Sequence, residues 1–209
     1  MKIRVGIFLA FGGLIALLPK SARADGASYN FAGCTDAPVV CSGDVGSVTA
    51  SYTSNGHTIT ATAFSVANYD LFIKNGSTLA ADEQGLGMIG TTDHEIQHGE
   101  FIQLELTSLA NAGFTTSAIT LGSVQIAEGY QICVSNVAGS DSGHCFTGNL
   151  DLSPVTVNFG NGYNYIDITA TTGDVLIAKG LAVPEPSSLM LLGTGLLALV
   201  GFTLKKAIA

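Results

Sequence analysis

The chain has 209 residues, 47% of them hydrophobic and 11% charged, with 16 acidic against 8 basic residues and a formal net charge of -8. That balance excludes a basic nucleic-acid binder, which needs cations to neutralise phosphates, and a disordered chain, which needs high charge and low hydropathy. A mean hydropathy of +0.43 on an acidic chain implies that the apolar residues are unevenly placed.

They concentrate first at the N-terminus. Lys2 and Arg4 precede an uncharged, mostly aliphatic run from Val5 to Leu18, which Pro19 breaks before Ala22-Arg23-Ala24. This is the pattern of a secretory signal peptide, residues 1–24, cut after Ala24 and delivered to the Sec translocon. The run is shorter than the ~20 residues a membrane span needs.

Residues 25–183 form the expected exported domain. It holds 15 acidic residues against Lys74 and Lys179, a formal charge of -13. Period-two alternation marks strands at Thr58 to Phe64, Ile102 to Leu106 and Tyr163 to Thr169. Further strands are expected at Val48–Tyr52, Tyr69–Lys74, Ala118–Ile126, Tyr130–Val134, Val155–Phe159 and Val175–Val183. Turn pairs separate them: Asn55-Gly56, Asn75-Gly76, His98-Gly99, Asn161-Gly162 and Gly173-Asp174. No helical period runs past about ten residues, and no repeat or linker divides the region. The expected fold is all-β, an antiparallel sandwich of jelly-roll or immunoglobulin-like type, with Thr, Ser and Asn on its wet faces.

Four cysteines fall inside this domain, at Cys34, Cys41, Cys133 and Cys145. An even count on an exported chain reads as two disulfides. Of the three pairings, Cys34–Cys41 with Cys133–Cys145 is favoured, because each closes a short Gly/Asp/Ser-rich loop.

His94-Glu95-Ile96-Gln97-His98 matches the His-Glu-x-x-His spacing of zinc hydrolases, in which one helix face presents both imidazoles and the Glu acts as base. The context opposes a helix: Gly87, Gly90, Thr91, Thr92 and Asp93 precede the motif and Gly99 follows it. Phe101 and Leu104 occupy the positions where a metzincin extension needs Gly and His. A secreted zinc hydrolase is therefore the alternative reading, with Glu128 as a distant third ligand. Asp141-Ser142-Gly143 echoes a serine-protease nucleophile loop but lacks the second Gly and a partner His, and reads as a disulfide-closed loop. Tyr130, Tyr163 and Tyr165 would offer a stacking platform for sugars, against the plainer reading as core or cross-strand aromatics. No phosphate loop or dinucleotide fingerprint occurs.

The second apolar concentration lies at the C-terminus. Val183-Pro184-Glu185-Pro186 is a stiff extended element, Ser187 and Ser188 follow, and an uncharged run from Leu189 to Leu204 contains Gly193, Gly195 and Gly201 before Lys205 and Lys206. A transmembrane helix over 187–204 is expected, with both lysines cytoplasmic. This tripartite tail, 184–209, resembles the PEP-CTERM sorting signal of Gram-negative bacteria. The resemblance implies recognition by an exosortase at the inner membrane, processing near Pro184-Glu185-Pro186, and release to the cell surface or extracellular matrix.

A second segment is similar to one recurring in secreted proteins of that kind: Gly85-Leu86-Gly87-Met88, Asp93-His94-Glu95-Ile96 and Gly99-Glu100-Phe101-Ile102-Gln103-Leu104. It places Asp93, Glu95 and Glu100 on a loop entering a strand. Three carboxylates there would suit calcium, which takes hard oxygen ligands, although it wants six to eight. The plainer reading is a solvated acidic turn in which Glu100 caps neighbouring backbone amides. The expected function is a non-enzymatic surface or matrix protein with a structural or binding role, extracellular polysaccharide being its expected partner. A calcium-stabilised adhesive module is a further alternative.

Overall fold

The computed structural model describes residues 26–76, 79–90, 93–159 and 162–184. The expected signal peptide with Ala24, the helix over 187–204, and Glu185, Pro186, Lys205 and Lys206 lie outside these residues. Among the described residues, no helix is long and apolar enough to cross a membrane.

Fourteen strands are described, in chain order: β1 Ala27–Asn30, β2 Gly43–Asp44, β3 Thr49–Ser54, β4 His57–Phe64, β5 Leu71–Lys74, β6 Gly85–Met88, β7 Ile96–Gln97, β8 Phe101–Glu105, β9 Phe114–Gly122, β10 Gly129–Ser135, β11 His144–Gly148, β12 Pro154–Asn158, β13 Tyr165–Thr172 and β14 Asp174–Pro184. A 3-10 turn at Ala81–Glu83 and one short helix, α1 Thr107–Asn111, complete the described elements. The strands form two sheets, and every strand pairing is antiparallel. One sheet runs β12-β9-β14-β6-β5-β2, with β1 and β7 also pairing β14; the other runs β11-β10-β13-β8-β4-β3.

Alternation decides which face of each strand is buried. In β4, Ile59, Ala61 and Ala63 are buried while Thr58, Thr60 and Thr62 face outward. Asn55 and Gly56, both at positive φ (50° and 80°), make the tight turn that pairs Ser54 with His57. Ile59, Leu104, Ile132, Ile166 and Ile168 of the second sheet share one apolar core with Leu71, Ile73, Leu121, Val157 and Ile177 of the first. Each such side chain contributes about 1.5–3 kcal/mol by leaving water.

Several boundaries differ from expectation. The strand expected over Ala118–Ile126 lies at Phe114–Gly122, ending where Ser123 takes a positive φ of 59°. The strand expected from Tyr163 begins at Tyr165 and runs to Thr172. The last strand includes Pro184, one residue beyond the expected domain boundary. That strand is paired along both edges near its end, Ala182 with Ala27 of β1 and with Ser117 of β9. The last strand therefore ends beside the start of the first described strand.

Candidate functional site

The Gly85-to-Glu100 segment builds an unusual feature on the first sheet. All four residues of β6 are buried, because the chain returns across its outer face. A Cβ on Gly87 would stand 2.1 Å from the His94 carbonyl oxygen, and one on Gly85 would stand 2.6 Å from that of Ile177. Glycine is what lets residues 93–95 lie directly on the strand; we call this segment the strap. Ile96, fully buried, anchors it through β7 against Val175. Nearby, the 3-10 turn packs on Gly122, where a Cβ would meet the Asp82 carbonyl at 2.6 Å.

Charged side chains meet under this cover. The Lys74 ammonium donates to Glu83 Oε2 at 2.8 Å and to Glu95 Oε1. Glu95 is 2% exposed, and among the described residues its second oxygen has no hydrogen-bond partner. Burial pushes the Glu95 carboxyl up to about 7, against the pull of Lys74 and Ser123, with Asp174 adding to the rise. Burial pulls the Lys74 ammonium down, but hydrogen bonds and attraction from Glu83 and Glu95 outweigh it, so its net shift is upward. An open cleft of about 400 Å³ adjoins Lys74 and Glu83, walled by Phe72, His94, Asp93, Ser42 and Asn75 among others. The His94 ring stacks on Phe72 with centroids 4.1 Å apart, and its buried Nδ1 has no hydrogen-bond partner among the described residues.

The sequence-predicted ligands do not converge. His94 sits at a positive φ of 58°, and Ile96–Gln97 is a strand rather than part of a helix. Four residues of extended chain span about 13 Å, so the helical spacing that brings two imidazoles together is absent. Asp93 is exposed at the cleft, Glu95 is held by Lys74, and Glu100 Oε2 accepts from the Gln97 N–H at 3.3 Å. Glu100 thus caps its own turn, but the turn is not solvated throughout as expected, because the strap's contact with the strand buries Glu95. Burial raises its pKa, offset in part by that hydrogen bond. Glu128 likewise caps a turn, accepting from the Gln125 N–H at 2.7 Å. Among the described residues, no group of three or more His, Cys, Asp or Glu side chains is placed to hold a metal ion.

A second polar cluster, which the sequence did not announce, lies on the other sheet. Asp167 of β13 is 1% exposed and Gln103 of β8 is 3% exposed, although both occupy the outward-facing row. The loop after β10 covers them. Gln103 Nε2 donates to Asp167 Oδ1 (2.6 Å) and to the Val137 carbonyl (3.2 Å), while its Oε1 accepts from the Gly139 N–H (3.0 Å). Ser135 Oγ donates to Asp167 Oδ2 at 3.1 Å. Burial pushes the Asp167 carboxyl up to about 6 despite the Gln103 and Ser135 hydrogen bonds, and the Asp141 charge adds to the rise.

The Cys133–Cys145 disulfide ties down the same loop, and Cys34–Cys41 closes the other, as the sequence favoured. Loops this short stabilise by about 2–3 kcal/mol each in the chain-entropy account. Ser142 shares a hydrogen bond with Ser140 at 2.6 Å. Of the three tyrosines weighed as a platform, Tyr130 is 2% exposed and belongs to the core, and Tyr163 packs edge-on against His144. An aromatic surface occurs elsewhere. Phe64 and Phe101, cross-strand neighbours, stack at 4.7 Å beside a groove of about 420 Å³ that Thr62, Ser65, Asn68 and the exposed Val66 also line.

A family model described as the PEP-CTERM protein-sorting motif matches residues 182–206. The match implies export to the cell envelope or surface, with processing by an exosortase. No curated protein and no solved structure matches the chain.

Proposed function

From the sorting motif at 182–206, we propose that this chain is a non-enzymatic surface or extracellular-matrix protein whose exported unit is a β-sandwich acting by structural association. The observation that carries the reading is the junction. The matched motif begins at Ala182, inside β14, while β14 is still hydrogen-bonded to β1 and β9. The sorting signal is therefore continuous with the sheet it is to deliver. The clean test is fractionation of producing cells followed by mass spectrometry of both protein ends. The expected outer-fraction species starts near Asp25 and stops near Pro184-Glu185-Pro186, and replacing those three residues by alanine leaves the chain in the inner membrane. An intact tail in the outer fraction would sink the reading.

Extracellular polysaccharide is the partner this reading favours. The Phe64–Phe101 pair offers an aromatic wall beside hydroxyl and amide groups, the combination that suits a sugar ring's apolar face and its hydroxyls. Phe101→Ala is expected to weaken co-sedimentation with the producing cells' own matrix polysaccharide about tenfold, the loss of roughly 1.4 kcal/mol. Unchanged co-sedimentation would remove the groove from the proposal.

A further inference from the structure

We propose that Lys74 and Glu95 condense into a side-chain amide, a covalent cross-link between β5 and the strap. Three observations place the reacting groups. The Lys74 nitrogen is in direct contact with the Glu95 carboxyl group, and the two come from segments 21 residues apart. A second carboxylate, Glu83, accepts from the same nitrogen at 2.8 Å. Glu95 is 2% exposed and the Lys74 side chain 11%, so water is largely excluded.

These are the requirements of amide formation without an outside reagent. The ammonium passes one proton to Glu83, leaving the Nζ lone pair free to attack Glu95 Cδ. An Nζ–Cδ bond forms, the bond from Cδ to one carboxyl oxygen breaks, and that oxygen leaves as water. The water takes two hydrogens originally on Nζ, one through Glu83, and the amide keeps the third. No net charge, electron or further reactant is needed. Condensation is unfavourable between separate groups in water. Here the fold holds the partners in contact, which removes the cost of bringing them together. Burial also penalises the separated charges that the reaction eliminates. The cleft beside Lys74 and Glu83 gives the released water an exit. The ammonium is the resting state, so the step is slow, but each molecule needs it only once. Both disulfides join other segments, at Cys34–Cys41 and Cys133–Cys145. The amide would secure the strap.

The test is peptide mass spectrometry of the full chain recovered from its producing cells, digested with chymotrypsin after reduction of both disulfides. The expected product is a branched peptide joining Lys74 to Glu95, lighter by one water than its two arms. Trypsin is expected not to cut after Lys74. Recovery of Lys74 and Glu95 only in separate linear peptides, with trypsin cutting after Lys74, overturns the proposal. Glu83→Gln removes the proton acceptor and is expected to slow accumulation of the branched peptide roughly 100-fold. Because the unsubstituted chain gives the primary result, a misfolded variant does not leave the proposal untested. An unchanged rate in a folded Glu83→Gln chain overturns the role given to Glu83.

Discussion

Asp167→Asn is expected to make the protein more stable at pH 8 by about 2–3 kcal/mol, with the advantage vanishing as the pH falls toward 4. The carboxyl of Asp167 titrates near 3.8 in an ordinary setting and is pushed up to about 6 in the fold. An acid with a raised folded-state pKa binds its proton more tightly in the folded state. Above pH 6 both states are ionised, and the fold carries the full cost of the buried charge. Between pH 6 and about 4 the folded state takes up its proton first and the cost is relieved; below that range both states are protonated and nothing is left to gain. At 1.36 kcal/mol per pKa unit, the shift corresponds to about 3 kcal/mol. Asn preserves the shape of the network. Its oxygen accepts from Gln103 Nε2 and its amide donates to Ser135 Oγ, which now acts as acceptor. Denaturation of the two proteins across this pH range measures the difference directly. A variant less stable than the parent at pH 8 would mean that the charge-assisted hydrogen bonds outweigh burial, and that the cluster exists to hold a carboxylate.

Asp167 also shows what the sequence leaves hidden. Strands whose apolar residues alternate, such as β4 with Ile59, Ala61 and Ala63, were legible because one face meets the core and the other meets water. The disulfides were legible because each pair is close in sequence, separated by 7 and 12 residues. Asp167 sits on an outward row and reads as wet. Only the return of the loop at Val137 and Gly139, tied to Gln103, buries it. Its partner Gln103 lies 64 residues away, beyond any local pattern. The same limit hid Lys74, whose two carboxylate partners stand 9 and 21 residues downstream. No strand was expected at Gly85-Leu86-Gly87-Met88, because alternate glycines carry little strand propensity, yet these residues form β6. Helix α1 spans five residues, too few to show a 3.6-residue period. His94-Glu95-Ile96-Gln97-His98 is the opposite case: its spacing implies chemistry only on a helix, its flanking glycines already opposed one, and Ile96–Gln97 is a strand.

The strap gives the sharpest mechanical expectation. Gly87→Ala should destabilise the fold by about 3 kcal/mol and lower the melting temperature by about 10 °C. The added methyl would stand 2.1 Å from the His94 carbonyl oxygen, 2.9 Å from Leu176 Cδ2 and 3.0 Å from Glu95 Cα. Two of those three neighbours are backbone, so no side-chain rotation relieves the overlap. Either β6 withdraws from the sheet or residues 93–95 lift off. Lifting the strap exposes Ile96, which is fully buried, and draws Glu95 away from Lys74, leaving the ammonium with Glu83 as its one ionic partner. Gly46→Ala is the control. It sits at a positive φ of 66° with no atom within 4 Å of the new methyl, so it carries backbone strain alone, about 1 kcal/mol. Thermal denaturation compares the two, and hydrogen exchange at Glu95 and Ile96 locates the damage, expected to rise in Gly87→Ala and stay unchanged in Gly46→Ala. Equal losses in the two variants would show that β6 and the strap do not need the close approach that glycine permits. The strap also positions Glu95 against Lys74, so Gly87→Ala should suppress the branched peptide even in molecules that still fold. A Gly87→Ala chain that folds, shows raised exchange at the strap and still forms the cross-link in full would separate strap docking from the chemistry at Lys74.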